Sequence, residues 1–252
     1  MFDLETQFMF PVHAVAPPGP LPRGAKRVTI AGAGKARLHG IHVPPSVRSS
    51  APRTLILGFA GNAWNSADAA TFLHSIYPAE DIVAFHYRGY HPSTGTPSAD
   101  GLIEDAPLVY DFAVSHIDHD RTVAVGFSIG TGVAASLAMQ RPLDGLILVT
   151  PFDSLKAVAS GHYPFLPVGA MLRQDMDAAA ALAGSDVPTA IIAAELDVII
   201  PAPRTDALRP SVGNLVFDRT IRGAGHNDIY ARLEFRSAMD DALAAVTNSG
   251  RG

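Results

Sequence analysis

The sequence predicts an α/β protein built on a mostly parallel sheet, and three features of the chain predict it. Short β-branched runs alternate with alanine-rich helical stretches. The later runs (TVAVGF, GLILVT, TAIIAA) are apolar almost throughout, as strands covered by helices on both faces must be. Only Gly32–Lys35 separates the first two runs, too little for a crossover, so these two should form an antiparallel hairpin at one edge of the sheet.

Taken in order, residues 1–25 carry the run Pro17-Pro18-Gly19-Pro20-Leu21-Pro22 and read as an irregular N-terminal arm. Strands are then expected at Arg27–Ala31, Ala36–Val43, Thr54–Phe59, Ile82–Tyr87, Thr122–Phe127, Gly145–Thr150, Thr189–Ala194 and Leu215–Arg222. Helices are expected at Ala67–Ser75, Asp100–His116, Ile129–Gln140, Pro203–Leu208 and Ile229–Thr247. Strand–helix alternation of this kind implies right-handed crossovers, giving an eight-stranded sheet with helices on both faces. No repeat, linker or second hydrophobic core interrupts residues 26–252, so one domain is expected there.

Composition bounds the function. Apolar residues make up 48% of the 252-residue chain and charged residues 17%, enough to bury a large core. The net charge is −5 and no Lys/Arg-rich run occurs, which argues against nucleic acid as a partner. The chain has no cysteine, which removes disulfides, thiolate metal sites and cysteine nucleophiles together. The start, MFDLETQFMFPV, carries Asp3 and Glu5 and no basic segment before its apolar residues, unlike a secretory signal. The apolar stretches Gly145–Thr150 and Val187–Pro201 are too short, or too interrupted by Glu195 and Asp197, to span a bilayer. A cytoplasmic protein without a spanning segment is expected; its oligomeric state is not legible.

The chemistry centres on Gly126-Phe127-Ser128-Ile129-Gly130, a G-x-S-x-G pentapeptide where a buried strand ends and a helix begins. A nucleophile elbow needs that strand–turn–helix, because the serine must occupy a strained turn and the flanking glycines leave room for it. A serine hydroxyl needs a base to take its proton. In the chain order Ser…Asp/Glu…His, the base is His226, in Gly223-Ala224-Gly225-His226 after the last predicted strand. Among its rivals, His74, His116 and His119 sit on or beside helices and are expected to face solvent. Three carboxylates compete to orient the imidazole: Asp197 and Glu195 after the penultimate strand, and Asp153 after the preceding one. The two oxyanion donors expected are the backbone N–H groups of Ile129, following the nucleophile, and of Asn62, in Ala60-Gly61-Asn62-Ala63-Trp64-Asn65. Trp64 in that loop, and His162, Tyr163 and Phe165 in the proline-stiffened HYPFLPV segment, are candidate substrate-binding residues. Arg88, in the segment Arg88–Pro97, is expected to tie loops together through carbonyls or a carboxylate.

With these residues in place, the chain resembles the small serine hydrolases of the α/β-hydrolase superfamily that lack a large cap domain, a group that includes eukaryotic protein depalmitoylases and bacterial esterase-like relatives. The resemblance runs from about Thr54 to Tyr230. It rests on GFAGNAWN, HYRGYHPSTGTPSADGLIEDA, GFSIGTGVA, PFDSLKAVASGHYPFLPV, ELDVIIP and GAGHND, in that order. It implies the α/β-hydrolase fold with a minimal cap, and ester or thioester hydrolysis by Ser128, Asp197 and His226 with no cofactor and no metal. It selects Asp197 because the family places its acid in that loop, whereas Asp153 stands where the family has threonine. Two further departures bear on substrate. Ala60 precedes Gly61 where the family has histidine, and no cysteine-rich, lipidated N-terminus of the depalmitoylase kind is present, which argues against membrane-protein substrates. A small-molecule ester or thioester is the expected substrate, and a non-catalytic binder on the same fold is the alternative.

Overall fold

The structure, a computed structural model, describes residues 9–162 and 175–249. The strands are β1 (Lys26–Ala31), β2 (Arg37–Val43), β3 (Thr54–Phe59), β4 (Asp81–Phe85), β5 (Arg121–Phe127), β6 (Gly145–Val149), β7 (Thr189–Ala194) and β8 (Leu215–Ile221). They belong to an eight-stranded sheet of order β1-β2-β4-β3-β5-β6-β7-β8. The chain divides into two compact units, Met1–Val123 and Ala124–Gly252.

In the first unit, β1 and β2 form the expected antiparallel hairpin, with Val28 opposite Gly40. β2 also runs antiparallel to β4, and β3 pairs with β4 in parallel. Every residue of β3 and β4 is buried, while β1 is largely exposed. That contrast explains why the inner strands read as unbroken apolar runs, and why charged side chains such as Lys26 and Arg27 are tolerated on the edge. Helix α1 (Ser66–Ile76) starts where the Asn65 side chain accepts the Ala67 N–H, an N-cap that satisfies one otherwise orphaned donor. Helix α2 (Ala99–His116) is capped in the same way by Ser98.

The predicted solvent-facing position of His74 is corrected. It lies on the buried face of α1, and its Nδ1 has no hydrogen-bond partner among the described residues. Burial lowers its pKa. It follows the buried Ala70 by four residues and Ala67 by seven, which the helical period puts on one stripe, and its polarity in the sequence concealed that.

The described part of the arm is held by contacts with the start of α1 and the loop before it. Asn62 Nδ2 donates to the Met9 carbonyl at 2.7 Å, Asn65 Nδ2 to that of Ala16 at 3.1 Å, and the Gly19 N–H to Asp68 Oδ1 at 2.8 Å. Arg88 makes a fork-on-fork pair with Asp105, both bonds 2.7 Å, and Asp105 also accepts the Ala33 N–H. Arg88 therefore ties loops together through a carboxylate.

In the second unit, β6, β7 and β8 pair in parallel. Helix α3 (Ile129–Gln140) follows β5, and α7 (Leu233–Asn248) packs against β6, β7 and β8. Among the described residues between β6 and β7 are two short helices that sequence patterning did not mark, α4 (Leu155–His162) and α5 (Ala178–Leu182). They span 8 and 5 residues, too few turns for a periodic signal. Helix α6 (Ala202–Leu208) follows β7. The expected final helix is divided: a 3₁₀ turn at Ile229–Ala231 precedes α7, with Arg232 extended between them. Asp228 there accepts the Gly225 N–H and pairs with Arg232, which holds a loop where a continuous helix was expected. Among the described residues, no helix is long and apolar enough to cross a membrane.

Candidate active site

β5 ends at Phe127 and α3 begins at Ile129, leaving Ser128 alone in the turn with φ 52° and ψ −119°. A non-glycine residue at positive φ is strained and persists only when its surroundings impose it. Here the Ser128 N–H donates to the Val149 carbonyl at 3.0 Å, and its own carbonyl accepts from the Thr131 N–H and hydroxyl. Gly126 is obligatory. A Cβ there would overlap the Gly130 carbonyl and lie 2.7 Å from Thr131 Cα, both backbone atoms that cannot yield. The sharp turn leaves the Ile129 N–H at the first position of a 12-residue helix, where amide groups lack intrahelical partners and the macrodipole favours negative charge.

The loop after β8 brings His226 to this turn. His226 Nε2 lies 3.0 Å from Ser128 Oγ, 98 residues away in sequence, and Nδ1 lies 2.7 Å from Asp197 Oδ2. A carboxylate only accepts, so Nδ1 carries the proton and Nε2 is the acceptor for the serine hydroxyl. The other Asp197 oxygen accepts the N–H groups of Ile199 at 2.9 Å and Ile200 at 2.7 Å. The carboxylate is thus held from both sides, and both His226 and Asp197 are buried.

The two competing acids are elsewhere. Glu195 accepts the Gly223 N–H at 2.8 Å, bracing the loop that carries His226. Asp153 Oδ2 receives Arg204 Nη1 at 3.2 Å, while its Oδ1 is buried with no partner among the described residues.

Two residues beside this constellation carried no sequence signal. Thr150 has φ 49° and is buried, a conformation that costs a β-branched residue especially. Its N–H donates to the Ile192 carbonyl at 2.7 Å. Tyr230 is hydrogen-bonded with Thr150. Burial pushes its hydroxyl above the ordinary tyrosine range, the Thr150 bond opposes this, and the negative charge of Asp197 adds to it. A threonine after a strand and a tyrosine in a loop look ordinary until the fold places them together.

Among the other predicted residues, Asn62 sits in a turn whose side chain is fully engaged: its amide binds the Met9 carbonyl and its Oδ1 accepts the Tyr90 hydroxyl at 2.6 Å. The Tyr87 hydroxyl holds the same segment through the Ala60 carbonyl at 2.8 Å. Trp64 packs its ring against Phe72 at 5.4 Å. His162 is exposed at the end of α4, with Nε2 2.7 Å from the Ile199 carbonyl. Tyr163 and Phe165 lie outside the described residues. No cluster of three or more metal-ligating side chains occurs among the described residues.

A strained serine between a parallel strand and a helix, with a histidine reached from the loop after the last strand, defines the class. The fold is that of the α/β hydrolases. It is 34% identical over 195 residues to an uncharacterised protein of Mycobacterium tuberculosis, covering 76% of this chain and 69% of that one. It is 29% identical over 191 residues to the lysophosphatidylserine lipase ABHD12 of Xenopus tropicalis, a match spanning 64% of this chain and 49% of the lipase. The fold matches the Pyrococcus furiosus esterase Pf2001 with TM-score 0.69 and 17% identity, covering 91% of this chain and 98% of that one. It also matches an α/β serine hydrolase without lid from Xanthomonas campestris, with TM-score 0.65 and 17% identity over 90% and 97% of the two chains. No family model matches.

Proposed function

We propose that the protein hydrolyses carboxylic esters or thioesters through an acyl-enzyme on Ser128, with His226 as general base and Asp197 orienting it. The observation that carries this reading is the unbroken path Asp197 Oδ2–His226 Nδ1–His226 Nε2–Ser128 Oγ, at 2.7 and 3.0 Å. Such spacing is within the reach a nucleophile and its base require. The names of two similar proteins, a lysophosphatidylserine lipase and an esterase, point to the same bond type.

In this reading Ser128 Oγ attacks the acyl carbon as its proton passes to His226 Nε2. Asp197 stabilises the resulting imidazolium without itself taking the proton. Negative charge develops on the former carbonyl oxygen beside the Ile129 N–H, and donors aimed there supply the largest single stabilisation in acyl transfer. Asn62 is the second donor in this proposal, through its backbone N–H. Collapse of the tetrahedral species breaks the bond to the alcohol or thiol, which leaves with the proton from Nε2. Water then repeats the cycle on the acyl-enzyme with His226 again as base.

A fluorophosphonate probe followed by peptide mapping tests this directly. The expected result is stoichiometric modification of Ser128, lost in His226→Ala, together with turnover of p-nitrophenyl esters or acyl thioesters. An unmodified Ser128 in folded protein would overturn the reading in favour of a non-catalytic binder.

A further inference from the structure

The first unit contains a cavity of about 610 Å³ lined entirely by residues between Val12 and Pro92. That size lies within the ~300–1,000 Å³ typical of small-molecule sites. None of Ser128, Asp197 or His226 lines it. One wall is the arm, through Val12, Val15, Pro17 and Leu21; the opposite wall is the β1–β2 hairpin and the residues after β4.

The hairpin register sorts its side chains. Arg27 lies opposite Ile41 and Thr29 opposite His39, and directly opposed residues share a face. The bond between Thr29 Oγ1 and His39 Nδ1, 3.1 Å, agrees. Arg27, His39 and Ile41 therefore stand on one face, and all three line the cavity.

The polar lining is one-sided. Arg27, His39, His86 and His91 line the cavity and no Asp or Glu does. Asn65, the remaining polar group, has its amide occupied by Ala16 and Ala67. Arg27 has no ion-pair partner among the described residues. His86 is only 5% exposed, yet neither of its ring nitrogens has a hydrogen-bond partner among the described residues. Its ring therefore has a donor left to offer a ligand acceptor in the cavity. The rest of the lining is aliphatic or proline.

We propose that this cavity is a second ligand site, which takes an apolar chain ending in one anionic group, a carboxylate or a phosphate monoester. The anion sits among Arg27, His86 and the neighbouring imidazoles, and the chain lies along the arm. The mutual repulsion of His39, His86 and His91, which with burial lowers the His86 pKa, favours an anion among them.

The test is calorimetric titration of the full chain with decanoate, decyl phosphate and decanol, and it needs no turnover. Either anion is expected to bind at least about tenfold more tightly than decanol, the scale of one charge-assisted contact. Whichever anion binds identifies the head group. Arg27→Glu, at an exposed and unpaired position, should remove about tenfold of the anion's affinity and leave decanol unchanged. Val15→Trp, which fills the cavity from the arm, should weaken both kinds of ligand. Decanol binding as tightly as the anions, no binding by either anion, or anion affinity indifferent to both substitutions would overturn the proposal. Anion binding that survives both variants would place the ligand elsewhere, so failure here leaves the reading of Ser128 untouched.

Discussion

His226 and His86 are almost equally buried, 8% and 5% exposed, and they are held in opposite ways. Both ring nitrogens of His226 are engaged, one by a carboxylate that two backbone amides fix in place and one by a strained serine. His86 is desolvated with no side-chain partner among the described residues, and its pKa falls to about 4, through burial first and then through His39 and His91. Burial alone makes an imidazole a poor proton acceptor. What makes one a useful base is a partner that stabilises its charged form. The first environment suits proton transfer, and the second suits binding of an anion.

The largest effect expected is on the first of these. Ser128→Ala should fold normally and lose at least roughly four orders of magnitude in kcat, as removal of a nucleophile that acts as a unit with its base does. Ester hydrolysis within about tenfold of wild type would remove Ser128 from the mechanism.

Asp197→Asn sharpens the comparison by taking away the partner while leaving the burial. It should lower kcat by about three to four orders of magnitude, because the amide no longer enforces the Nδ1–H tautomer. Steady-state kinetics on one activated ester measures this, and a loss of about tenfold or less would mean the imidazole is oriented by something else.

The unpartnered histidine should register in stability. With a folded pKa of about 4 against roughly 6.5 in the unfolded chain, the unfolded state binds more protons between these values. Stability therefore falls as pH drops from 6.5 toward 4, by about 2 kcal/mol at pH 5 relative to pH 7.5. His86→Gln should flatten that part of the profile. Urea midpoints at the two pH values, compared between wild type and variant, check it; identical slopes would mean His86 is not the group responsible.

The smallest effect is expected at the rival acid. Asp153→Asn keeps the shape of a residue whose Oδ2 meets Arg204, outside the Ser128–His226–Asp197 path. It should cost about tenfold in kcat/KM or less. A loss comparable to that of Asp197→Asn would break the distinction drawn between the two carboxylates.

Much of this was legible in the chain. Gly126, Ser128 and Gly130 marked the elbow because only a strand–turn–helix needs small residues at both flanks of a serine. The inner strands were legible because burial on both faces leaves no room for polar alternation. His226 followed from its place in a glycine-bounded loop after the last strand. The short helices at Leu155–His162 and Ala178–Leu182 were not, since one or two turns give no period, and His74 was misjudged because one polar residue on a buried stripe looks like a surface residue.

The sequence by itself determined the architecture and the sharp turn that holds Ser128, since both follow from local patterns of burial and turn geometry. The chain singled out Asp197 only through its resemblance to a family; the tertiary structure is what brings that carboxylate to the imidazole. Asp153, Glu195 and Asp197 are chemically alike and all follow strands, but only the loop after β7 folds so that two of its own amides turn the Asp197 carboxylate toward His226. It alone also assembled the cavity, whose arm and hairpin walls carry no pattern that would announce a shared space. Distances between side chains remote in sequence are set by how the elements pack, and no reading of spacing along the chain contains them.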